Sequence, residues 1–247
     1  MLTENRAGKS TSLDDFEVRS AGRGTLRRSQ TSRTLRFERL MVSGRMTRVE
    51  MRRAIISSTV LVVLSQGIGA QSQVEISLKQ GTSGEARTRE QLQRLLAAYD
   101  LSPWIYTKSV VIDERAIPFS HPVLTLHTRH AKDDDLLVST FLHEQLHWFF
   151  TERPEATQQA IADLRKLFPA VPAGGTAGAR DEESTYLHLL VCYLEQQADI
   201  RVLGELRTKQ VMEFWATDHY TWVYQTVLSR SRDIGQLMRD KKLVPAR

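Results

Sequence analysis

Residues 139–149 read STFLHEQLHWF and place His143 and His147 four positions apart, with Glu144 directly after the first histidine. On an α-helix a step of four residues returns to the same face, so both imidazoles can reach one metal ion. Glu144 would then lie beside the metal, where its carboxylate can take a proton from a zinc-bound water of lowered pKa. The spacing therefore predicts a zinc site with Glu144 as general base.

The alternative is that both histidines are satisfied core residues without a metal. Their flanks are almost wholly apolar, which predicts a buried helix. The flanking residues are Leu136, Leu137, Val138, Phe141, Leu142, Leu146, Trp148, Phe149 and Phe150. Two histidines and a glutamate buried there without partners would be costly, which favours the metal site.

The first part of the chain differs in composition from the rest. Residues 1–50 are rich in Arg, Ser, Thr and Gly and show no sustained hydrophobic period, which predicts a disordered or spurious N-terminal extension. Residues 51–70 then combine a basic start, an apolar run and a final small residue, as a secretory signal peptide does. We expect translation to start at Met46 or Met51, and cleavage after Ala70.

Two locations follow from this pattern. A cleaved signal peptide predicts a secreted or periplasmic protein with no stable membrane span in its mature form. The alternative is a protein anchored in the membrane through residues 54–68, with a basic cytoplasmic tail.

The charge of the chain supports this division. Residues 1–70 hold 13 Lys and Arg against 6 Asp and Glu, whereas the remainder holds 21 against 23. The basic pI therefore belongs to the presequence and gives no reason to expect nucleic-acid binding. Cys192 is the only cysteine, so we expect no intrachain disulfide and interpret it as a small buried residue.

Residues 71–247 are long enough for one domain. The patterns predict a polar lead-in at 71–86, a helix opened by the capping box at 88–91, β-like runs at 104–112 and 123–128, a helix at 156–168 and a loop at 169–180. Three further histidines could be ligands but are more often structural or exposed: His121, His127 and His130. The three acids at 133–135 are expected to stabilise a helix N-terminus rather than to bind a cation.

Residues 183–206 form the second informative stretch, a predicted helix that is apolar nearly all round. His188, Glu195 and Asp199 share one face of it at helical spacing. An acid at the centre of such a helix needs a cation or several hydrogen-bond donors.

The segment 195–199, EQQAD, following a His-Glu-x-x-His helix, resembles the Glu-x-x-x-Asp element of gluzincin metallopeptidases. With Ala before Asp it looks like the CAAX prenyl protease group and its periplasmic relatives. This resemblance implies that Glu195 is the third zinc ligand. It also implies that Asp199 orients a ligand histidine as a second-shell acceptor.

The resemblance covers only residues 143–147 and 195–199. Leu194 stands where thermolysin-type enzymes have Asn, and Phe150 and Arg153 break the metzincin continuation. No multi-span architecture of the prenyl-protease kind is present in the sequence, so that substrate does not transfer.

The resemblance also suggests how a substrate is held and activated. In zinc peptidases an edge strand before the zinc helix holds an extended substrate, a role we expect for residues 123–128. Gluzincin-type sites usually add a His or Tyr donor for the oxyanion from a later segment. Our first choice is His219, followed by Tyr220 and Tyr224, while His188 is a further candidate on the substrate side.

The sequence thus predicts an α+β, zincin-like fold, with a small N-terminal sheet packed on a largely helical domain that contains two buried metal-binding helices. The predicted function is a zinc-dependent metallopeptidase acting on a peptide or protein substrate. One alternative is a zinc-binding envelope-assembly or chaperone-like protein of the same fold without peptidase activity. Another is a helical binding domain without metal.

Overall fold

A computed structural model describes residues 74–245. The predicted extension at 1–50 and signal peptide at 51–70 lie outside this part of the chain. Within it, the strands are β1 (Glu75–Leu78), β2 (Ser109–Ile112) and β3 (Leu124–Leu126), and the helices are α1 (Ser83–Ala98), α2 (Asp134–Thr151), α3 (Pro154–Leu167), α4 (Glu182–Leu203), α5 (Glu205–Asp218) and α6 (Thr221–Asp240). The described domain is α+β and mostly helical, as the sequence predicts.

The three strands form one parallel sheet in the order β1-β2-β3. Val110 pairs with Ile76 on one side and with Leu124 on the other. All three residues of β3 are buried, because α2 packs against this end of the sheet. The sheet predicted before α2 is therefore present, with strands shorter than the runs that predicted them.

The prediction of a polar lead-in at 71–86 is wrong, because β1 lies within it. Ile76 and Leu78 are half buried and pack against the core, while Glu75 and Ser77 are exposed. Two apolar side chains among polar neighbours are too short an alternation to stand out in the sequence.

The predicted start of α1 at residues 88–91 is also wrong. The N-cap is Thr82, whose side chain accepts a hydrogen bond from the backbone N–H of Glu85 at 3.2 Å. The buried Glu85 carboxylate accepts from the N–H groups of Gln80 and Gly81, each at 2.8 Å. A Thr-x-x-Glu pattern six residues earlier therefore starts the helix.

Helices α2 and α4 pack against each other, and α6 packs along α4. Leu142 and Leu146 of α2 and Leu189 and Leu190 of α4 are fully buried in the same core. Both helices are buried nearly all round, so they bring their polar residues into the interior. This packing places the two informative stretches of sequence face to face.

Helix α4 ends at Leu203, and the predicted continuation to 206 is wrong. Gly204 has φ +83°, in the region that residues with a Cβ rarely adopt. The chain turns there and Leu206 lies in α5, where its side chain is 74% exposed.

The acids at 133–135 act at the start of α2 as predicted. Asp133 is the N-cap and accepts from the N–H of Leu136 at 3.1 Å. Asp134 pairs with Arg94 at 2.7 Å, and Asp135 pairs with Arg207. Each acid has a partner from the protein itself, which agrees with a role at the helix terminus.

Within residues 74–245, no helix is both long enough and apolar enough to cross a bilayer.

Candidate metal centre

The two histidines of α2 point their Nε2 atoms at the same space. His143 Nε2 and His147 Nε2 lie 3.3 Å apart. Tetrahedral zinc with Zn–N bonds of about 2.0–2.1 Å requires ligand nitrogens roughly 3.3–3.4 Å apart. The separation therefore fits two ligands of one tetrahedral ion.

A third imidazole comes from α4. The ring centroid of His188 lies 5.0 Å from that of His147 and 5.6 Å from that of His143. One ligand nitrogen from each of the three residues lies within 4.8 Å of the others. His188 Nδ1 donates to the backbone carbonyl of Ser184 at 2.6 Å. This bond leaves the Nε2 lone pair of the neutral ring free for a metal.

Glu195 approaches His143 from the other side of the imidazole. Its Oε2 accepts from His143 Nδ1 at 2.8 Å and from the Tyr224 hydroxyl at 3.0 Å, and its Oε1 accepts from Ser139 Oγ at 2.5 Å. Trp215 Nε1 in turn donates to Ser139 Oγ at 3.0 Å. The buried carboxylate thus has several donors, the condition that such an acid must meet. A carboxylate that accepts a hydrogen bond from Nδ1 fixes the tautomer that presents Nε2 to a metal.

A second group of possible ligand atoms comprises His143, Cys192 and Glu195, also within 4.8 Å of one another. It would need a metal at His143 Nδ1, where the Glu195 carboxylate already accepts a hydrogen bond. Burial raises the pKa of the Cys192 thiol, whereas metal binding requires the thiolate. The hydrogen bonds therefore favour the three-histidine group.

The imidazoles differ in charge. Burial lowers the pKa of His188 to about 3, and burial with the nearby His143 charge lowers the pKa of His147 well below its usual value. Burial also opposes protonation of His143, but the Glu195 carboxylate outweighs it and raises that pKa. Two of the three rings are thus neutral, the form in which histidine binds metals.

Glu144 is buried beside this cluster. Burial raises the pKa of its carboxyl to about 7, although the charge of His143 favours the ionised form. A general base works best with a pKa near the working pH. The position and pKa of Glu144 therefore suit proton transfer near neutral pH.

Asp199 does not take the orienting role expected for it. It is fully buried, and within residues 74–245 neither carboxyl oxygen has a hydrogen-bond partner. Burial first, and then the charge of Glu195, raise the pKa of Asp199 well above its usual value. The contact with a histidine of the cluster is made by Glu195 instead. Glu195 thus occupies the orienting position expected for Asp199, whereas the Asp199 carboxyl, one turn further along α4, makes no hydrogen bond within the described residues.

Asp199→Asn is expected to stabilise the metal-free protein increasingly as pH rises above about 4, the pKa of an unfolded Asp. Because the folded pKa is raised, the acid's contribution to stability is full below the unfolded pKa and is lost as pH rises towards the folded pKa. Asn has no such loss, so its advantage should grow by about 1.4 kcal/mol per pH unit while folded Asp199 stays protonated. Urea unfolding between pH 5 and 8 measures this slope.

Asp240→Asn, which changes an exposed acid at the end of α6, is the matched control and should leave the slope unaltered. A slope for Asp199→Asn equal to that of the control would show that Asp199 is ionised in the folded protein.

The three oxyanion candidates lie near the three histidines and differ in the hydrogen bonds that they make. Tyr224 is buried and its hydroxyl donates to Glu195. His219 Nδ1 bonds to Asp218 at 2.9 Å, and Arg129 also pairs with Asp218. The Tyr220 ring lies 4.4 Å from that of His188, and its hydroxyl bonds to no residue in the range 74–245.

The other histidines lie outside the cluster. His127 and His130 contact each other, with ring centroids 5.0 Å apart, and His130 packs edge-on against Trp215 at 5.3 Å. His121 stacks on Trp148 at 4.1 Å. Within the described chain none of the three joins a group of possible metal-ligand atoms.

The expected substrate-binding edge at 123–128 is already paired at its centre. Thr125 N donates to Phe119 O at 2.8 Å, and Phe119 N donates to Thr125 O at 3.1 Å. Because both outward main-chain groups of Thr125 are occupied by the chain itself, an extended substrate cannot pair with them in this conformation. The prediction overlooked the connection between β2 and β3, which folds back onto the edge.

Ser139 and Trp215 were missed as members of the site. Ser139 lies four residues before His143 and therefore on the same face of α2, so helical spacing could have found it. Trp215 reaches Ser139 from α5 through a hydrogen bond between residues far apart in sequence, which no local pattern indicates.

No protein-family model, curated protein or solved structure matched the chain in comparison with known proteins. A function must therefore be inferred from its own side chains.

Proposed function

We propose that this protein is a metal-dependent hydrolase of zincin-like fold that cleaves peptide bonds, with zinc held by His143, His147 and His188. The observation that carries the proposal is the 3.3 Å separation of two Nε2 atoms beside a third imidazole whose Nδ1 is engaged elsewhere. His188 is neutral, and zinc binding would displace the Nε2 proton of His143. The hydrogen bonds from Nδ1 then turn both Nε2 lone pairs towards the shared space. Convergent lone pairs of this kind suit a cation, and three imidazoles suit zinc.

When bound, zinc supplies a Lewis acid and lowers the pKa of a coordinated water. The chain supplies the remaining groups. Glu144 accepts the proton and can return it to the leaving amine. Glu195 holds His143 in the required tautomer, and Ser139 and Tyr224 hold Glu195. Here Glu195 is a positioning residue rather than the third ligand that the resemblance implies.

Tyr220 is the best placed of the three candidate oxyanion donors. The Tyr224 hydroxyl is committed to Glu195. Burial lowers the pKa of His219, and a neutral His219 that donates from Nδ1 to Asp218 has only an acceptor at Nε2. The Tyr220 hydroxyl keeps its proton at neutral pH, because burial raises its pKa.

The backbone of Tyr220 adds to this assignment. Its φ of +49° and ψ of 37° are left-handed, which is uncommon for a bulky residue. Such conformations cluster at functional sites. Hydrogen bonds from Thr221 N to Thr176 O at 2.9 Å and from Trp222 N to Ala177 O at 3.2 Å hold the chain directly after Tyr220.

Tyr220→Phe is expected to lower turnover by about 100- to 1000-fold while leaving zinc content and KM nearly unchanged, because the lost hydrogen bond forms mainly in the transition state. Steady-state kinetics with metal analysis measure this split. His219→Gln is the matched control and should have a much smaller effect. The reverse ranking would restore His219 as the donor.

The proposed function is tested by incubating the full chain with one equivalent of zinc and a mixed peptide library. Mass spectrometry should detect new peptide termini, and a chelator should stop their formation. A zinc-loaded protein that cleaves no member of the library would count against peptidase activity.

A further inference from the structure

An exposed apolar segment lies beside the candidate metal centre. Within residues 74–245, seven large hydrophobic side chains are exposed, and three of them fall in the seven residues from 117 to 123. Ile117 is 80% exposed, Phe119 40% and Val123 36%. We call residues 117–123 the apolar loop; its sequence, IPFSHPV, contains no acidic residue, lysine or arginine.

The apolar loop is held in place rather than loosely attached. The main-chain pair between Phe119 and Thr125 fixes it to the edge of the sheet. Trp148 Nε1 donates to Ser120 O at 2.9 Å, and the His121 ring stacks on the Trp148 indole at 4.1 Å. The loop and Trp148 therefore form one apolar surface, which we call the Trp148 shelf.

The Trp148 shelf is next to the proposed general base. Trp148 follows Glu144 by four residues on α2, so the two share a helical face with Cβ atoms about 5–6 Å apart. Between Leu136 and Phe150, only His147 and Trp148 are partly open to solvent. The solvent-exposed part of His147 therefore adjoins the Trp148 shelf.

We infer that the Trp148 shelf is a substrate subsite that accepts a large apolar side chain next to the bond to be cleaved. This inference rests on the proposed function, since it assigns a substrate class to the same centre. Contiguous exposed apolar residues mark binding surfaces, and tryptophan gives a rigid contact area at low entropic cost. The absence of acidic, lysine and arginine side chains from the apolar loop favours an aromatic or aliphatic side chain over a charged one.

The test uses two zinc-binding probes that differ only in a benzyl side chain, N-acetylphenylalanine hydroxamate and N-acetylglycine hydroxamate. Affinities are measured by calorimetry on the full chain loaded with zinc. Burial of a phenylalanine side chain predicts roughly 30-fold tighter binding of the first probe. The double variant Ile117→Ser/Phe119→Ser should reduce this preference to about 5-fold or less without changing the affinity for the glycine probe.

Leu206→Ser is the matched control. Leu206 is exposed to a degree similar to that of Ile117. Its neighbour Arg207 pairs with Asp135 at the start of α2, about 20 Å along the helix from Trp148. This variant should keep the full preference. Trp148→Ala provides a second change to the shelf and should likewise reduce the preference.

The outcomes separate the inference from the proposed function. If neither probe binds, the metal centre itself fails and the subsite fails with it. If both probes bind the unaltered protein equally well, the centre stands and the subsite is refuted. If the loop variants keep the preference but lose co-sedimentation with phosphatidylcholine–phosphatidylglycerol vesicles, the apolar loop contacts a lipid surface and the subsite is again refuted.

Discussion

His188→Ala should lower the affinity for zinc by more than the 10- to 100-fold that is typical for loss of an outer-shell partner, whereas Glu195→Gln should stay within that range. His188 would supply a bond to the metal, while Glu195 touches the metal site only through His143. Competition with a chromophoric zinc chelator measures both affinities.

Cys192→Ser is the matched control, since Cys192 is buried on the same helix and should leave zinc affinity unchanged. Circular dichroism of the metal-free variants shows whether each one folds. The opposite ranking, with zinc retained in His188→Ala and lost in Glu195→Gln, would make Glu195 the third ligand, as the resemblance to gluzincins implies.

Glu144→Gln should retain zinc but lower turnover by about 100- to 10,000-fold, the range for loss of a positioned proton-transfer group. The amide has nearly the shape of the carboxyl but cannot accept the proton. Because burial raises the pKa of Glu144 to about 7, the folded protein already accommodates an uncharged carboxyl near neutral pH. The uncharged replacement should therefore not disturb packing. Initial rates on any peptide cleaved by the unaltered protein, with zinc analysis of the same samples, measure the effect.

Gln145→Glu offers a contrasting variant one position away. Gln145 accepts from the N–H groups of Tyr106 and Thr107 and donates to Thr107 O, so its replacement should lower stability rather than act on chemistry. Unchanged turnover in Glu144→Gln would remove Glu144 from the proton path. Zinc binding without any peptidase activity in the unaltered protein would instead favour a non-enzymatic zinc protein, such as an envelope-assembly or chaperone-like factor.

Helix α2 could be predicted because its signal is local. The step from His143 to His147 and the apolar flanks define one helix and its buried face, and α2 has both. The burial of α4 was predictable for the same reason. The helical spacing of residues in α4 could not show which of them approaches Nδ1 of His143 and which approaches Nε2.

The role of Glu195 shows this limit most clearly. His188 and Glu195 lie seven residues apart on one face of α4, so both can be level with α2. Only the packing of α4 on α2 places His188 beside His147 and turns Glu195 towards His143 Nδ1. Helical spacing identifies the residues of such a site, whereas the assignment of ligand and positioning roles needs the tertiary contacts.

The edge of the sheet was less predictable than the helices. Residues 117–123 contain two prolines and read as a connection, and the pairing of Phe119 with Thr125 depends on how that connection folds back. The exposure of Ile117 likewise appears only in the folded chain. Both features decide what a substrate would meet at the site.

The most direct test of the proposed centre is zinc K-edge X-ray absorption on the full chain with one equivalent of zinc. Ligation by His143, His147 and His188 predicts three imidazole nitrogens and one oxygen at about 2.0–2.1 Å, and no sulfur. A sulfur shell at about 2.3 Å would place the metal at Cys192 and contradict the assignment, as would a protein that binds no stoichiometric zinc.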